Sequence, residues 1–219
     1  MTKPIFLPQP TKNIKNIIFD LGGVILDIDY NLTINAFKKL GVSNIDSLFG
    51  QAQQIDLFDQ LDKGLISPAE FRNGVRHISK LPLSNAEIDM AWNAMLLSFT
   101  AERLELLNTV GKHYRTFLLS NTNAIHMTEY NKTLLNAHGA ESMCVYFEKA
   151  YYSHIIHKRK PDAEAFEIIL HENSIKPNQT LFIDDTLQHI EGAKKLGIFT
   201  HHLDVANGEH INQLFSVPQ

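Results

Sequence analysis

The sequence contains a single cysteine, Cys144, among its 219 residues. An internal disulfide bond is therefore excluded, which fits a reducing compartment, and we expect Cys144 to be a small buried apolar side chain. No apolar run is long enough for a signal peptide or a membrane span, and residues 1–13, which include three prolines, are expected to form a flexible arm. These absences make the cytoplasm the expected location and argue against a membrane partner.

The chain also has fewer positively charged than negatively charged side chains. The chain has 20 Lys and Arg residues against 24 Asp and Glu residues, which gives a formal net charge of −4. This balance offers no general attraction for nucleic acid or anionic lipid, so any phosphate site must be built locally. A hydrophobic content of 44% is typical of a globular protein with one large domain, or one domain with an insertion.

A strand pattern near the start of the chain runs directly into an aspartate and two glycines. Residues 16–19 are Asn-Ile-Ile-Phe, and Asp20, Gly22 and Gly23 follow. Such a run is typical of a buried parallel strand that delivers a carboxylate to the edge of a sheet, with glycines where backbone must pass close to a ligand. Taken alone, the pattern more often marks a core strand that ends in an ordinary turn with a capping aspartate.

Helical patterns occupy the next part of the chain. Capping boxes at residues 67–70 and 84–87 mark two helix starts, and weaker helical patterns cover residues 31–40 and 51–62. We expect the helix after residue 84 to reach Phe99, because its apolar positions share one helical face. These positions are Ile88, Ala91, Trp92, Met95, Leu96 and Phe99. The aromatic ones could line a substrate pocket, although the spacing favours the interior of an inserted four-helix module.

From residue 100 onward strands alternate with helices, which predicts an α/β fold with a doubly wound parallel sheet. Three of the strands end in polar residues, and in such a sheet these ends share the edge at which ligands bind. The polar residues are Asp20, Ser120, Asn121, Asp184 and Asp185. Grouped carboxylates repel one another unless a hard cation such as Mg²⁺ lies among them. Lys160 can add positive charge there, and Ser120 can donate a hydrogen bond to a phosphate oxygen.

Four motifs resemble, in their order, those of the haloacid dehalogenase-like hydrolase superfamily. They are Phe-Asp-Leu-Gly-Gly-Val, Leu-Ser-Asn-Thr-Asn, Arg-Lys-Pro, and Asp-Asp followed after four residues by Ile-Glu-Gly-Ala. The resemblance spans residues 17–203. Within the superfamily, these motifs are similar to those of the branch of small sugar-phosphate phosphatases that includes an alpha-D-glucose-1-phosphate phosphatase. It implies a Rossmann-like α/β core formed by residues 1–28 and 100–219, with a helical-bundle cap over residues 29–99.

This resemblance also implies an activity and a set of site residues. The expected protein is a Mg²⁺-dependent phosphatase that hydrolyses a small phosphorylated metabolite, such as an anomeric sugar phosphate, through an aspartyl-phosphate intermediate on Asp20. The implied metal ligands are the Asp20 carboxylate, the Gly22 carbonyl, Asp185 and, directly or through water, Asp184. Ser120 and Lys160 would bind the transferring phosphoryl group, and Asn121 would help to orient it. We expect a monomer or a weak homo-oligomer.

Two positions depart from the usual family pattern. Gly22 stands where the family has a second aspartate that serves as general acid and base, which disfavours a phosphomutase. Asp27 or Asp29 could replace this acid, but one of them could simply cap the helix that begins near Asn31. His189 stands where a later aspartate is usual, which weakens the expected support of the metal ligands or the lysine.

Two other functions fit part of the same pattern. A catalytically retired phosphate-binding or regulatory protein is suggested by Gly22, but retention of Asp20 and Lys160 argues against it. A 2-haloacid dehalogenase would also use an aspartate nucleophile, but it has no need of Mg²⁺ and therefore of the pair Asp184-Asp185. Hydrolysis assays with and without Mg²⁺ separate the three functions.

Overall fold

The structure, a computed structural model, describes residues 13–42, 45 and 56–215, so the predicted arm lies outside it except for Asn13. Its strands are β1 (Asn16–Phe19), β2 (Leu26–Ile28), β3 (Leu96–Phe99), β4 (Arg115–Ser120), β5 (Lys149–Tyr152), β6 (Thr180–Asp184) and β7 (Phe199–His202). Its α-helices are α1 (Tyr30–Lys39), α2 (Asp56–Asp62), α3 (Pro68–Ser79), α4 (Asn85–Asn93), α5 (Ala101–Val110), α6 (Ala124–His138), α7 (Ser153–Ile156), α8 (Ala163–Glu172), α9 (Leu187–Lys195) and α10 (Ile211–Leu214). None of the helices in these ranges combines the length and the apolar composition needed to cross a membrane.

Five of the strands form one parallel sheet in the order β5-β4-β1-β6-β7. The central strand, β1, is buried on both faces, as its apolar sequence predicts. Ile17 and Phe19 pack with α5, α6 and α10 on one face, and Ile18 packs with α8 and α9 on the other. After β1 the chain adds β4 and then β5 on one side of this strand, and it then crosses over to add β6 and β7 on the other side. The predicted doubly wound α/β fold is therefore confirmed.

Helices α1 to α4 form a separate cluster with its own apolar interior. Phe37, Phe58, Phe71 and Trp92 are buried there, and the rings of Phe58, Phe71 and Trp92 lie with centroids 5.1–5.6 Å apart. Both predicted capping boxes are present at the starts of α3 and α4. The predicted helix over residues 51–62 is described only from Asp56, and residues 51–55 lie outside the described part. The boundaries of the cap, residues 29–99, stay a prediction.

The prediction that the helix after residue 84 continues to Phe99 is wrong. Helix α4 ends at Asn93, and β3 instead pairs antiparallel with β2. Thr33 fixes this change of direction, since its hydroxyl donates to the Trp92 carbonyl at 2.9 Å and accepts from the Met95 amide at 3.1 Å. The helix is thus closed by a side chain from α1. Trp92 and Met95 still pack in the cap interior, as their spacing favours, whereas Phe99 belongs to the core of the sheet domain.

Cys144 is exposed, which corrects the expectation of a buried thiol. It lies in a short 3₁₀ helix, Met143–Tyr146, in which Met143 is the residue that is buried. In a 3₁₀ helix, which has three residues per turn, neighbouring side chains lie on different faces. Met143 therefore faces the core, and the next residue, Cys144, faces solvent.

Candidate active site

The carboxyl ends of three neighbouring strands bring polar side chains to one edge of the sheet. Asp20 directly follows β1, and its amide donates to the Ile183 carbonyl of β6 at 2.9 Å. Ser120 is the last residue of β4 and Asp184 is the last residue of β6. All three polar side chains are buried. The sheet therefore gathers these predicted site residues as its topology requires.

Lys160 reaches this edge from the loop before α8 and has no exposed surface. Its ammonium lies 2.6 Å from Asp20 Oδ1 and 2.7 Å from Asp184 Oδ2. Burial alone would lower the pKa of Lys160, but attraction to Asp184 and Asp20 raises that pKa above its usual value. The lysine is therefore held as a cation that bridges two strand ends.

The carboxylates at this edge outnumber the positive charge that faces them. Burial and the nearby Asp184 carboxylate raise the pKa of Asp20 well above its usual value, and the same two causes raise the pKa of Asp185. Although burial opposes it, attraction to Lys160 and a hydrogen bond from His189 lower the pKa of Asp184. Three acidic groups around one ammonium leave an excess of negative charge, and this is the environment that a divalent cation relieves.

His189 joins the site although sequence reasoning gave it no role there. Its Nδ1 lies 3.0 Å from both oxygens of Asp184, and Asp20, Asp184 and His189 offer ligand atoms within 4.8 Å of one another. Burial lowers the pKa of His189 despite the neighbouring carboxylate, which favours the neutral ring. The sequence signal was its position four residues after Asp185, where the family usually has an aspartate. The imidazole therefore supports Asp184 in place of that aspartate.

Asn121 holds the loop that carries Lys160. Its side-chain oxygen accepts from the Lys160 amide at 2.9 Å, and its side-chain nitrogen donates to the Lys160 carbonyl at 2.9 Å. These two hydrogen bonds fix the backbone from which the ammonium reaches the strand ends. Contact between Asn121 and a phosphate group stays a prediction.

The two glycines after Asp20 have different structural roles. Gly23 has a φ of +75°, and a Cβ built there would lie 2.2 Å from Asp185 Oδ2, so only glycine allows this close approach. A Cβ on Gly22 would instead meet the end of the flexible Ile28 side chain at 3.0 Å. Close packing against the acidic group therefore requires Gly23, and Gly22 can accept a side chain after a small movement of Ile28.

Neither aspartate considered as a substitute acid is free for that role in this structure. Asp29 caps α1, since its carboxylate accepts from the Asn31 amide at 2.9 Å, so the capping alternative is confirmed. Asp27 forms an ion pair of 2.6 Å with Arg103. The acid that is absent at Gly22 is therefore not supplied by these two residues.

The cap contacts the core beside the acidic site, which sequence patterns did not reveal. Asp62 of α2 accepts from the Asn123 side chain at 3.0 Å, and Asp59 pairs with Arg159 at 2.6 Å. The Lys63 carbonyl lies 2.8 Å from His157 Nδ1. These contacts hold the C-terminal end of α2 against the loops that follow β4 and β5.

Comparisons with known proteins agree with this architecture. The family model for haloacid dehalogenase-like hydrolases matches residues 17–202. A D-ribitol-5-phosphate phosphatase of Bacteroides thetaiotaomicron is 33% identical over 187 residues, which cover 85% of this chain and 90% of the relative. A crystal structure of a family enzyme from the same species, in complex with magnesium and inorganic phosphate, is 39% identical with a TM-score of 0.80 and covers 86% of this chain and 93% of its own.

A more distant similarity concerns the fold alone. The L-2-haloacid dehalogenase of Xanthobacter autotrophicus superposes with a TM-score of 0.57 at 15% identity, over 87% of this chain and 77% of the dehalogenase. At this identity the superposition reports a shared arrangement of strands and helices, and the chemistry must be argued from the site itself.

Proposed function

Because the chain belongs to the haloacid dehalogenase-like hydrolase family, we propose that it is a Mg²⁺-dependent phosphatase of small phosphorylated metabolites, with Asp20 as its nucleophile. The observation that carries the proposal is the buried arrangement in which Lys160 bridges Asp20 and Asp184 at the strand ends. The phosphatase name of one relative and the magnesium and phosphate bound to another support it. Both agree with the hydrolase class and the cofactor that the sequence predicts.

The side chains present fit a hard divalent cation. The Asp20, Asp184 and Asp185 carboxylates, with the Gly22 carbonyl, are oxygen donors of the kind that Mg²⁺ prefers, and they carry more negative charge than Lys160 neutralises. These residues would hold the ion. When bound, it supplies positive charge that stabilises the phosphoryl group during transfer.

In the proposed reaction, an Asp20 carboxylate oxygen attacks phosphorus and the bond from phosphorus to the ester oxygen breaks. The ester oxygen leaves as an alkoxide that takes its proton from solvent water, and a water molecule then attacks the phosphorus of the aspartyl-phosphate, which releases inorganic phosphate and restores the Asp20 carboxylate. Lys160 holds the Asp20 carboxylate in place through the contact of 2.6 Å, and the charge of its ammonium favours the transition state. Ser120 donates to a phosphoryl oxygen.

We expect turnover of sugar and polyol phosphates to disappear in EDTA and to return when Mg²⁺ is added in excess. Asp184 oxygens already accept from Lys160, His189 and the Thr186 amide, so Asp185 has more capacity for the ion. Asp185→Ala should therefore raise the half-saturating Mg²⁺ concentration more than Asp184→Ala. Titration of activity with Mg²⁺ measures this difference.

Asp162→Ala is the control for this titration, since Asp162 is an exposed carboxylate two residues after Lys160. Its half-saturating Mg²⁺ concentration should match that of the wild type. Full phosphatase activity in chelator would contradict the metal requirement. Metal-independent release of halide from 2-chloropropionate would favour the dehalogenase alternative, and binding of phosphate esters without turnover would favour a retired protein.

The glycine at position 22 predicts a dependence on the leaving group. Without a carboxylic acid there, esters of acidic alcohols, such as anomeric sugar phosphates, should react faster than esters of primary alcohols. Gly22→Asp should accelerate the poor leaving groups most, by up to about 10²-fold, the lower range of general-acid effects. The positions of Ile28 and of the Gly22 backbone allow this side chain. Rates for esters graded by the pKa of their alcohols measure the effect.

Gly22→Asn is the matched control, because it adds the same volume without an acid. A wild-type rate that is constant across the series, with chemistry shown to be rate-limiting in single-turnover experiments, would show that another group already supplies the proton. The relative from Bacteroides thetaiotaomicron is named for D-ribitol 5-phosphate, which is the ester of a primary alcohol. We therefore propose that this protein differs from that relative in preferring anomeric sugar phosphates. Cytoplasmic location and a monomeric or weakly associating state stay predictions.

A further inference from the structure

His202 links the last strand of the sheet to the acidic pair at the site. It is the final residue of β7 and stands beside Asp184 in the parallel register of β6 and β7. Its Nε2 lies 3.0 Å from the backbone carbonyl oxygen of Asp185. A carbonyl oxygen can only accept a hydrogen bond, so Nε2 carries the hydrogen and donates it. A side chain of β7 therefore holds the peptide group that follows Asp185.

The backbone of Asp185 lies just beyond the end of β6, where the strand pairing stops. The Asp184 carbonyl still accepts from the Leu203 amide at 3.0 Å. The next carbonyl, that of Asp185, is reached among the described residues by the His202 imidazole. Because a side chain moves with its own backbone, a rotation of this peptide would turn the Asp185 carboxylate away from the strand ends. The imidazole opposes that rotation.

The Asp185 carboxylate has few contacts of its own that fix its direction. The Lys160 ammonium pairs with the other two carboxylates of the site, and within the described part of the chain no ion pair reaches Asp185. Its Oδ1 accepts from the Thr186 hydroxyl at 3.2 Å. Its Oδ2 lies where a Cβ on Gly23 would approach to 2.2 Å. Gly23 thus leaves room for the carboxylate, and the held peptide keeps the carboxylate there.

We infer that His202 is a positioning residue for the magnesium site, because it holds the Asp185 peptide and so directs the Asp185 carboxylate toward the ion. This inference rests on the metal site of the phosphatase function proposed above. His202 acts through Asp185, so its loss should weaken Mg²⁺ binding and leave the chemical step at saturating Mg²⁺ almost unchanged. Residues that orient metal ligands typically change metal affinity by about tenfold to a hundredfold when they are replaced.

His202→Leu removes the donor and keeps a side chain of similar bulk. The half-saturating Mg²⁺ concentration for hydrolysis of p-nitrophenyl phosphate should rise by about tenfold, while kcat at saturating Mg²⁺ stays within about twofold of the wild-type value. His202→Gln should restore most of the Mg²⁺ affinity, because its side-chain amide can donate to the same carbonyl. A second measurement needs no substrate. The gain in the urea midpoint on addition of Mg²⁺ should be smaller in His202→Leu than in the wild type.

His201→Leu is the matched control. His201 is the preceding residue of β7, and its Nε2 contacts Glu209 at 2.9 Å rather than the acidic pair. Whatever this substitution does to stability, the half-saturating Mg²⁺ concentration should equal that of the wild type. In an Asp185→Ala background, His202→Leu should add no further shift, because the carboxylate that it directs is absent.

Equal responses to Mg²⁺ in His202→Leu and the wild type, in both measurements, would overturn the inference. So would an equal loss in His201→Leu, a full additional shift in the Asp185→Ala background, or a wild type whose stability does not respond to Mg²⁺. A folded wild type that Mg²⁺ stabilises but that hydrolyses no phosphate ester would contradict the phosphatase function alone. The urea comparison would then still decide the role of His202.

Discussion

Replacement of Asp20 by asparagine is expected to lower turnover by at least about 10³-fold, since the reaction loses its nucleophile. An amide oxygen is a poor nucleophile toward phosphorus, and the ion pair of 2.6 Å with Lys160 is lost as well. The substitution keeps the size of the side chain, and the Asp20 amide remains bonded to Ile183. The fold should therefore persist. Turnover under single-turnover conditions, together with circular dichroism, measures both effects.

Asp29→Asn is the matched control for this experiment. Asparagine is as good a helix cap as aspartate, so the variant loses one nearby carboxylate and keeps the start of α1. It should retain wild-type turnover. Mass spectrometry of quenched reactions should detect a phosphorylated protein with the wild type and with Asp29→Asn, but not with Asp20→Asn. Retention of more than a few per cent of activity in Asp20→Asn would assign the nucleophile elsewhere.

The edge of the sheet that carries the site was predictable, because the apolar pattern of a strand shows at which residue the strand ends. Each of β1, β4 and β6 is an apolar run that stops at a polar residue, and parallel strands end on the same side. Asp20, Ser120 and Asp184 therefore had to come close together once the parallel sheet was inferred. Lys160 lies in a loop, so its position between two carboxylates depended on the Asn121 hydrogen bonds that the structure shows.

Features that depend on contacts between distant segments were not predictable in the same way. Residues 96–99 have a helical apolar spacing, yet they form β3 because β2 offers hydrogen bonds and Thr33 closes the preceding helix. Asp59 and Asp62 carry no motif, and their contacts with Arg159 and Asn123 follow only from how the cap lies on the core. The close approach of Gly23 to the Asp185 carboxylate likewise depends on how two distant loops meet.

The second large effect is expected for Lys160→Met, which removes the buried ammonium and keeps an unbranched side chain. Asp20 and Asp184 then face each other without a counter-charge, and loss of one partner from a buried ion pair typically costs about 3–5 kcal/mol of unfolding free energy. Turnover should fall strongly as well, because the ammonium stabilises charge in the transition state. Urea denaturation without Mg²⁺ and steady-state kinetics with Mg²⁺ measure the two losses separately. Lys158→Met, two residues earlier in the same loop, should change neither.

The stability loss in Lys160→Met should be reduced by a second substitution, because it arises from the carboxylates that remain. Asp184→Asn removes one of the two negative charges next to position 160, so the double variant should lose less unfolding free energy than the sum of the two single variants. Turnover should show no such recovery, since neither variant restores the positive charge beside Asp20. Mg²⁺ should stabilise Lys160→Met more than it stabilises the wild type, as a cation binds more strongly where the ammonium is missing. Additive stability losses, or a Lys160→Met variant with wild-type stability and turnover, would show that the contacts of 2.6 and 2.7 Å are not the ones that organise the site.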